Sequence, residues 1–310
     1  MIKRQSIDNQ LDDDIYSKVN PFNWKFIVIG FFLLIMGFLV NFPIRKTIIG
    51  YASAKLGSNR SCPMTFERLD LGNFLQWAKF TGPIFSGRCY GQNSMSMLRL
   101  ESLGLALVAP SVNPPGLKLH IEIKKGKTNL NIYPTISYPK MGLEIKNSVI
   151  DGNLLKNLTG DIFKVHGQIK IDSHLIMTKK NLTGGKINIT SKNLSIPPQN
   201  IMNFLIPYMN LEELTIKGSV KGRNTLHFTT LKLGSKISPI IANLKGSIKI
   251  NPTNTRASTL DLKGKIKFTP EFIKKFAILN LFLAGKNKDP EGFYNLSIKG
   301  PMGRPKMGLE

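Results

Sequence analysis

Cys62 and Cys89 are the chain's two cysteines, with twenty-six residues between them, and they form the one pair of side chains that could make a covalent bond. An even number of thiols without metal-ligand or catalytic surroundings fits a disulfide made in an oxidising compartment. Two separate buried thiols are the other reading. The bracketed stretch holds five aromatics, among them Phe66, Phe74, Trp77 and Phe80, but few alternating runs, so its own core is poor. Closing such a loop would stabilise it by about 3 kcal/mol.

Residues for acid–base or metal chemistry do not assemble in the sequence. His166, Asp172 and His174 fall on one face of an alternating segment, but Gln168 and Lys170 share that face, and a lysine ammonium opposes a cation. His120 and His227 have no carboxylate or cysteine in local register, and Asp12 to Asp14 have no further ligands nearby. Lys124 to Asn129, "KKGKTN", imitates the end of a phosphate-binding loop, yet the required upstream glycine would fall at Ile121. In "GSVKG", Gly218 to Gly222, valine stands where a nucleophile elbow needs serine. No catalytic, metal or cofactor residue is therefore expected, and no enzymatic activity. Six Asn-x-Ser/Thr triplets, at Asn59, Asn157, Asn181, Asn188, Asn193 and Asn295, follow from a composition rich in asparagine and lysine.

The elements around these residues have a period of two. "NLKGSIKINP" (Asn243 to Pro252) and "DLKGKIKFTP" (Asp261 to Pro270) put Leu, Gly, Ile and Ile or Phe on one side and lysines mostly on the other. That is a strand with one dry and one wet face. "TIKGSV" (Thr215 to Val220) and "SIKGPM" (Ser297 to Met302) repeat the phrase at unequal spacings, so no solenoid unit emerges. Further strands are expected over Leu98 to Leu107, Leu117 to Lys124, Leu130 to Tyr133, Gly142 to Ile150, Val165 to Leu175 and Lys186 to Thr190. With 310 residues, 42% of them hydrophobic, the chain can build one large or two modest folded units. Its net charge of +24 comes from 43 Lys and Arg against 19 Asp and Glu. These lysines stand singly on wet positions, without the clustered basic element and stacking aromatics of a nucleic-acid module, so nucleic acid is not expected as a partner.

Residues 26–44, "FIVIGFFLLIMGFLVNFPI", carry no charge and lie between Lys25 and Arg45, with Trp24 at one end. Nineteen helical residues at about 1.5 Å each approach the roughly 30 Å hydrocarbon core, so a transmembrane helix is expected there. A cleaved signal peptide, ending near Ala52-Ser53-Ala54, is the rival; the long apolar run and Arg45-Lys46 before that site count against it. Basic residues flank the span equally; with no second apolar span of comparable length the bulk lies on one side, and the cysteine pair on that side places it outside. The expected order is a cytoplasmic tail (1–25), the transmembrane helix (26–44), a helical stem (45–57) and a β-rich domain (58–310).

Two segments break the alternation with helical patterns. "PPQNIMNFLIPYM" opens with prolines, which suit a helix start. "TPEFIKKFAILNLFLAGKN" has Thr269 as N-cap, Pro270 in the first turn and Gly285 as stop. Its apolar set, including Phe272, Ile273, Phe276, Leu279 and Phe282, is too broad for a wet surface and too short to cross a bilayer, so the helix should cover the dry side of the sheet.

The closing stretch "GFYNLSIKGPMGRPKM", with Gly292, Tyr294, Leu296, Ile298, Gly300 and Pro305, resembles the last strand of the type II secretion system protein N family, GspN, of the deltaproteobacterial and spirochaete type. The span running into Phe42-Pro43 and the strands carrying "LKGSIKINP" are similar to the same family, which is distantly AsmA-like. The resemblance implies a single-pass inner-membrane protein facing the periplasm. Its body would be an elongated, curled, mostly antiparallel, trough-like sheet with one or two short covering helices, mainly β in class. It implies docking to other inner-membrane or periplasmic secretion components. The AsmA-like side implies the alternative, phospholipid held or passed along in a hydrophobic β-groove.

Overall fold

A computed structural model describes residues 24–41, 44–72, 76–90, 96–112, 115–159, 164–179, 181–201, 204–252, 254, 257–276 and 278–309. The chain divides into two compact units, Met1–Ala52 and Ser53–Glu310. The expected tail over 1–25 lies almost wholly outside the described residues.

In the first unit, α1 (Trp24–Asn41) is built from the uncharged run, and α2 (Ile44–Gly57) begins there and continues into the second unit. The side chains of α1 described from Ile27 to Ile35 are exposed. Phe42 and Pro43 lie outside the described residues, and the expected span 26–44 is not met by one described helix. Among the described residues no helix is long and apolar enough to cross a membrane.

The second unit is mainly β. It begins with β1 (Met64–Thr65), β2 (Arg68–Leu71), β3 (Trp77–Thr81), β4 (Ile84–Ser86), β5 (Met97–Arg99), β6 (Ser102–Leu107) and β7 (Ser111–Val112). The long strands β8 (Pro115–Lys125), β9 (Thr128–Ile136) and β10 (Lys140–Asp151) lead to α3 (Gly152–Thr159). After it come β11 (Gln168–Thr178), β12 (Asn181–Ile196), β13 (Gln199–Ile201), β14 (Phe204–Ile206), β15 (Met209–Val220), β16 (Thr225–Leu233), β17 (Ile240–Lys249) and β18 (Thr259–Phe268). Helices α4 (Pro270–Lys275) and α5 (Ile278–Leu283) precede β19 (Tyr294–Pro301) and β20 (Lys306–Leu309). One fifteen-stranded antiparallel sheet runs in the order β2-β3-β6-β8-β9-β10-β11-β12-β15-β16-β17-β18-β19-β20, with β7 beside β8. A small sheet β1-β4-β5 and the hairpin β13-β14 stand apart from it.

Directly opposed residues of an antiparallel pair lie on the same face. Following the pairs from Leu71 gives Ala78, Leu105, Ile121, Ile132, Ile145 and Ser173, then Ile187, Gly218, Phe228, Gly246, Leu262, Ile298 and Met307. One row of apolar or small residues thus crosses the ladder from β2 to β20. A second row, Ile171-Ile189-Ile216-Leu231-Leu244-Gly264-Leu296-Leu309, runs beside it. Lysines of the repeated phrases point the other way and are exposed, as with Lys245, Lys263 and Lys265.

The connections sort by end. At one end lie the turn after β8, α3, the β13–β14 hairpin, the loop 234–239, and α4 with α5; at the other are the links 137–139, 179–180, 221–224 and 302–305, and the longer 250–258. The inserted elements bury the dry face at their own end. Phe272 packs with Val165, Leu194, Ile196, Met209 and Leu211, and with Ile169, Leu214, Leu233 and Phe268 from the dry face. Leu154 of α3 packs with Leu98 and Leu100, together with Ile123 and Ile150.

Three expectations need correction. The stretch from Pro197 to Met209 is a hairpin rather than a helix. Its prolines keep the entry extended, and Gln199 then pairs with the backbone of Lys164, accepting from its N–H at 2.8 Å and donating to its carbonyl at 3.0 Å. The helix expected from Thr269 to Lys286 is two short ones. Thr269 caps the first, its hydroxyl accepting from Phe272 N–H, but Phe276 leaves the helical region at φ −118° and ends it. The third is α3, for which no helix was expected at all; Asp151 Oδ1 accepts the Asn153 N–H at 2.9 Å at its start.

Candidate functional site: a half-covered apolar sheet face

On β16 to β19 the dry face reaches full burial at Leu226, Leu244, Leu262 and Leu296. Along the middle of β8 to β12 it does not: Ile121, Ile132, Ile145, Ile171, Ile187 and Ile189 are only half-buried, and β12 is buried only at its covered end, at Ser191, Leu194 and Ile196. A second sheet layer packed on this face would bring such residues to full burial. Towards the turn-bearing end the exposure rises further. Leu105, Leu107, Leu117, Ile136 and Met141 are between 37 and 52% exposed. They are neighbours on one face: Leu107 opposes Leu119, Leu117 opposes Ile136, and Met141 opposes Met177. Tyr138 stands fully out of the adjoining turn. At about 4.8 Å per strand, the row across fourteen strands is on the order of 60 Å long measured along the ladder.

The opposite face is polar and charge-paired. Glu144 accepts from Lys118 Nζ at 2.7 Å and pairs with Lys146 Nζ at 2.5 Å. Burial pushes the Glu144 carboxyl up, but the hydrogen bonds and charges of the two lysines outweigh it and hold the group below the usual carboxylate range. His120 is stacked on Tyr133 at 4.6 Å and lies 3.0 Å from Asn131 Oδ1. This partner comes from the adjacent strand, which local register in the sequence does not reveal. His174 opposes Glu144 across the β10–β11 ladder, and Asp172 Oδ1 accepts the Asn147 N–H. Among the described residues no group of His, Cys, Asp and Glu could hold a metal ion.

Cys62 and Cys89 are joined in a disulfide. It ties the residues before β1 to the turn after β4, beside the Met64–Phe85 pair of the small sheet. Of the residues expected to cover the sheet, Phe272 is buried and stacks on Phe268 at 6.2 Å, Phe276 and Leu279 pack on the same cluster, and Ile273 is half-buried. Phe282 is not part of the cover: it is exposed, whereas Leu283 beside it on α5 is buried. The break after Lys275 resets the helical phase, so the spacing read from Phe272 does not carry through to Phe282.

Chemically, the arrangement offers an apolar strip bordered by charge, with one end closed by packed aromatics and the other exposed. It can hold apolar chains or a complementary protein surface, and among the described residues it assembles no nucleophile with a base. No family model, no curated protein and no solved structure matches the chain.

Proposed function

We propose that this protein is a non-enzymatic envelope protein that holds phospholipid acyl chains along the dry face of its sheet. In this reading α1 anchors it in the inner membrane, the N-terminus is cytoplasmic, and the sheet faces the periplasm as a curled trough. The observation that carries it is the row Ile121, Ile132, Ile145, Ser173 and Ile187, apolar apart from one serine, left half-buried on β8 to β12. Uncompensated apolar surface of that extent on a soluble face marks a binding site for something apolar. A strip of about 60 Å is several times the roughly 15 Å depth of one leaflet's chains.

A second reading, an accessory component of a type II secretion system acting by protein docking, is favoured by the outer edge strand. Among the described residues β20 is an end strand of the sheet, paired with β19, and its Met307 is exposed. An unpaired edge is a template for strand addition by a partner.

A photocrosslinking amino acid at Ile187 on the dry face, compared with Asn188 on the wet face of the full chain in its membrane, tests both. Phospholipid adducts from position 187 and none from 188 support the lipid reading. A defined protein adduct at 187 in place of lipid rejects it and favours docking. A deletion strain adds the physiological arm: secreted hydrolases stranded in the periplasm with unchanged lipids favour docking, whereas a general change of the outer membrane favours lipid handling.

A further inference from the structure

The helix-bearing end of the sheet presents a different surface. Leu205 of the β13–β14 hairpin, Ile237 of the loop 234–239, and Leu281 and Phe282 of α5 are between 63 and 79% exposed. They come from three separate insertions, yet their neighbours Ile206, Ile240 and Leu279 pack on one cluster. The loop is also bonded to the start of α4, Thr269 N–H donating to Pro239 O at 3.0 Å. Large apolar side chains therefore stand around a single packed core and point away from it.

Charge on the same insertions is mainly positive. Lys236, Lys274, Lys275, Lys286 and Lys288 are exposed, and across 199–208, 234–239 and 269–293 the carboxylates are Glu271, Asp289 and Glu291. The nearby Asp289 is already held by Lys265 Nζ at 2.7 Å. Protruding apolar tips on insertions that carry more exposed lysines than carboxylates match a surface whose interior is hydrocarbon and whose headgroups are anionic. A protein partner would need to supply acidic residues and apolar pockets together at three insertions; a bilayer surface supplies both everywhere.

We infer that this end of the β unit is a peripheral contact site for an anionic lipid bilayer, with Leu205, Ile237, Leu281 and Phe282 entering the headgroup boundary and the lysines engaging phosphate. The contact is independent of whether the dry face of the sheet holds lipid or protein.

The test uses the full chain held in amphipol, so that α1 is already covered, with the Ile237→Cys variant labelled by an environment-sensitive dye and the Cys62–Cys89 disulfide intact. Vesicles of phosphatidylcholine containing about one-third phosphatidylglycerol should shift the dye to an apolar spectrum, and pure phosphatidylcholine should do so much less. A dye on the wet sheet face, at Lys170→Cys, should not respond. Lys274→Glu with Lys275→Glu should weaken vesicle binding about tenfold or more, and Leu281→Ser with Phe282→Ser should abolish the dye shift, all without changing the melting temperature. No shift with anionic vesicles overturns the inference. So does an equal shift with both vesicle types, or a shift produced by raising protein concentration alone, which would indicate a second copy as the partner.

Discussion

Gly246 stands directly opposite Leu262 across the β17–β18 ladder, and two residues back Leu244 stands opposite Gly264. The two "LKG" phrases run antiparallel, so the leucine of each faces the glycine of the other. A Cβ at Gly246, where φ is +145°, would meet Asp261 O at 2.0 Å, and one at Gly264 would meet Asn243 O at 2.0 Å. The repeated phrase is thus a device for bringing two backbones close under large side chains.

Alanine at either glycine should therefore be destabilising. At Gly246 the backbone conformation alone costs about 1–3 kcal/mol, and the carbonyl contact adds to it. Gly308 has open space around it, so Gly308→Ala should be near neutral. Chemical denaturation of the three variants checks this; equal midpoints would mean that the glycines are not structurally required.

Phe272→Asp should cost several kcal/mol, because the buried carboxylate would lose water and gain no partner. Phe276→Asp should follow, since that ring packs on the same cluster. Lys275→Asp should be nearly silent, its side chain being exposed. Thermal melting ranks the three. A wild-type melting temperature for Phe272→Asp would show that α4 does not depend on its packing against the sheet.

The sheet was legible because alternation declares itself wherever it is uninterrupted, as in Leu244 to Lys249. β16 was not expected, and the reason is local. Leu226 and Phe228 face the dry side, then a register shift puts Leu231 and Leu233 there instead, so no single period runs through Thr229 and Thr230. The hairpin at 199–206 read as a helix because its apolar spacing matches 3.6, while the bond between Gln199 and Lys164 that holds it extended is tertiary. The dry face itself was readable, but its partial cover was not. Period two tells which side avoids water; it carries no information about what lies across from it.

Loss of the disulfide should cost about 3 kcal/mol, the loop-closure entropy of a link with a sequence separation of 27. Cys62→Ala and Cys89→Ala should have equal effects, because each leaves the same loop open. Thiol labelling of the denatured, unreduced protein should find no reactive cysteine, and two labelled sites would remove both the link and its support for an oxidising compartment.

Glu144 lies between Lys118 and Lys146. Its carboxyl is held below its ordinary value in the folded chain, so the folded state binds its proton less readily than the unfolded state does. The stabilisation it brings is complete above the unfolded pKa and is lost as pH falls through the depressed folded pKa. Glu144→Gln should lower stability at neutral pH by about 1 kcal/mol, the scale of a partly shielded ion pair. The same variant should lose less stability than the wild type on acidification, so the two curves converge at low pH. Lys118 then keeps its place over the Tyr133 ring, its Nζ 5.1 Å from the centroid, and added salt should narrow the difference by screening the lost ion pairs. Unfolding followed from neutral to acid pH in both proteins measures this, and parallel curves would show that Glu144 is not a titrating contributor to the fold.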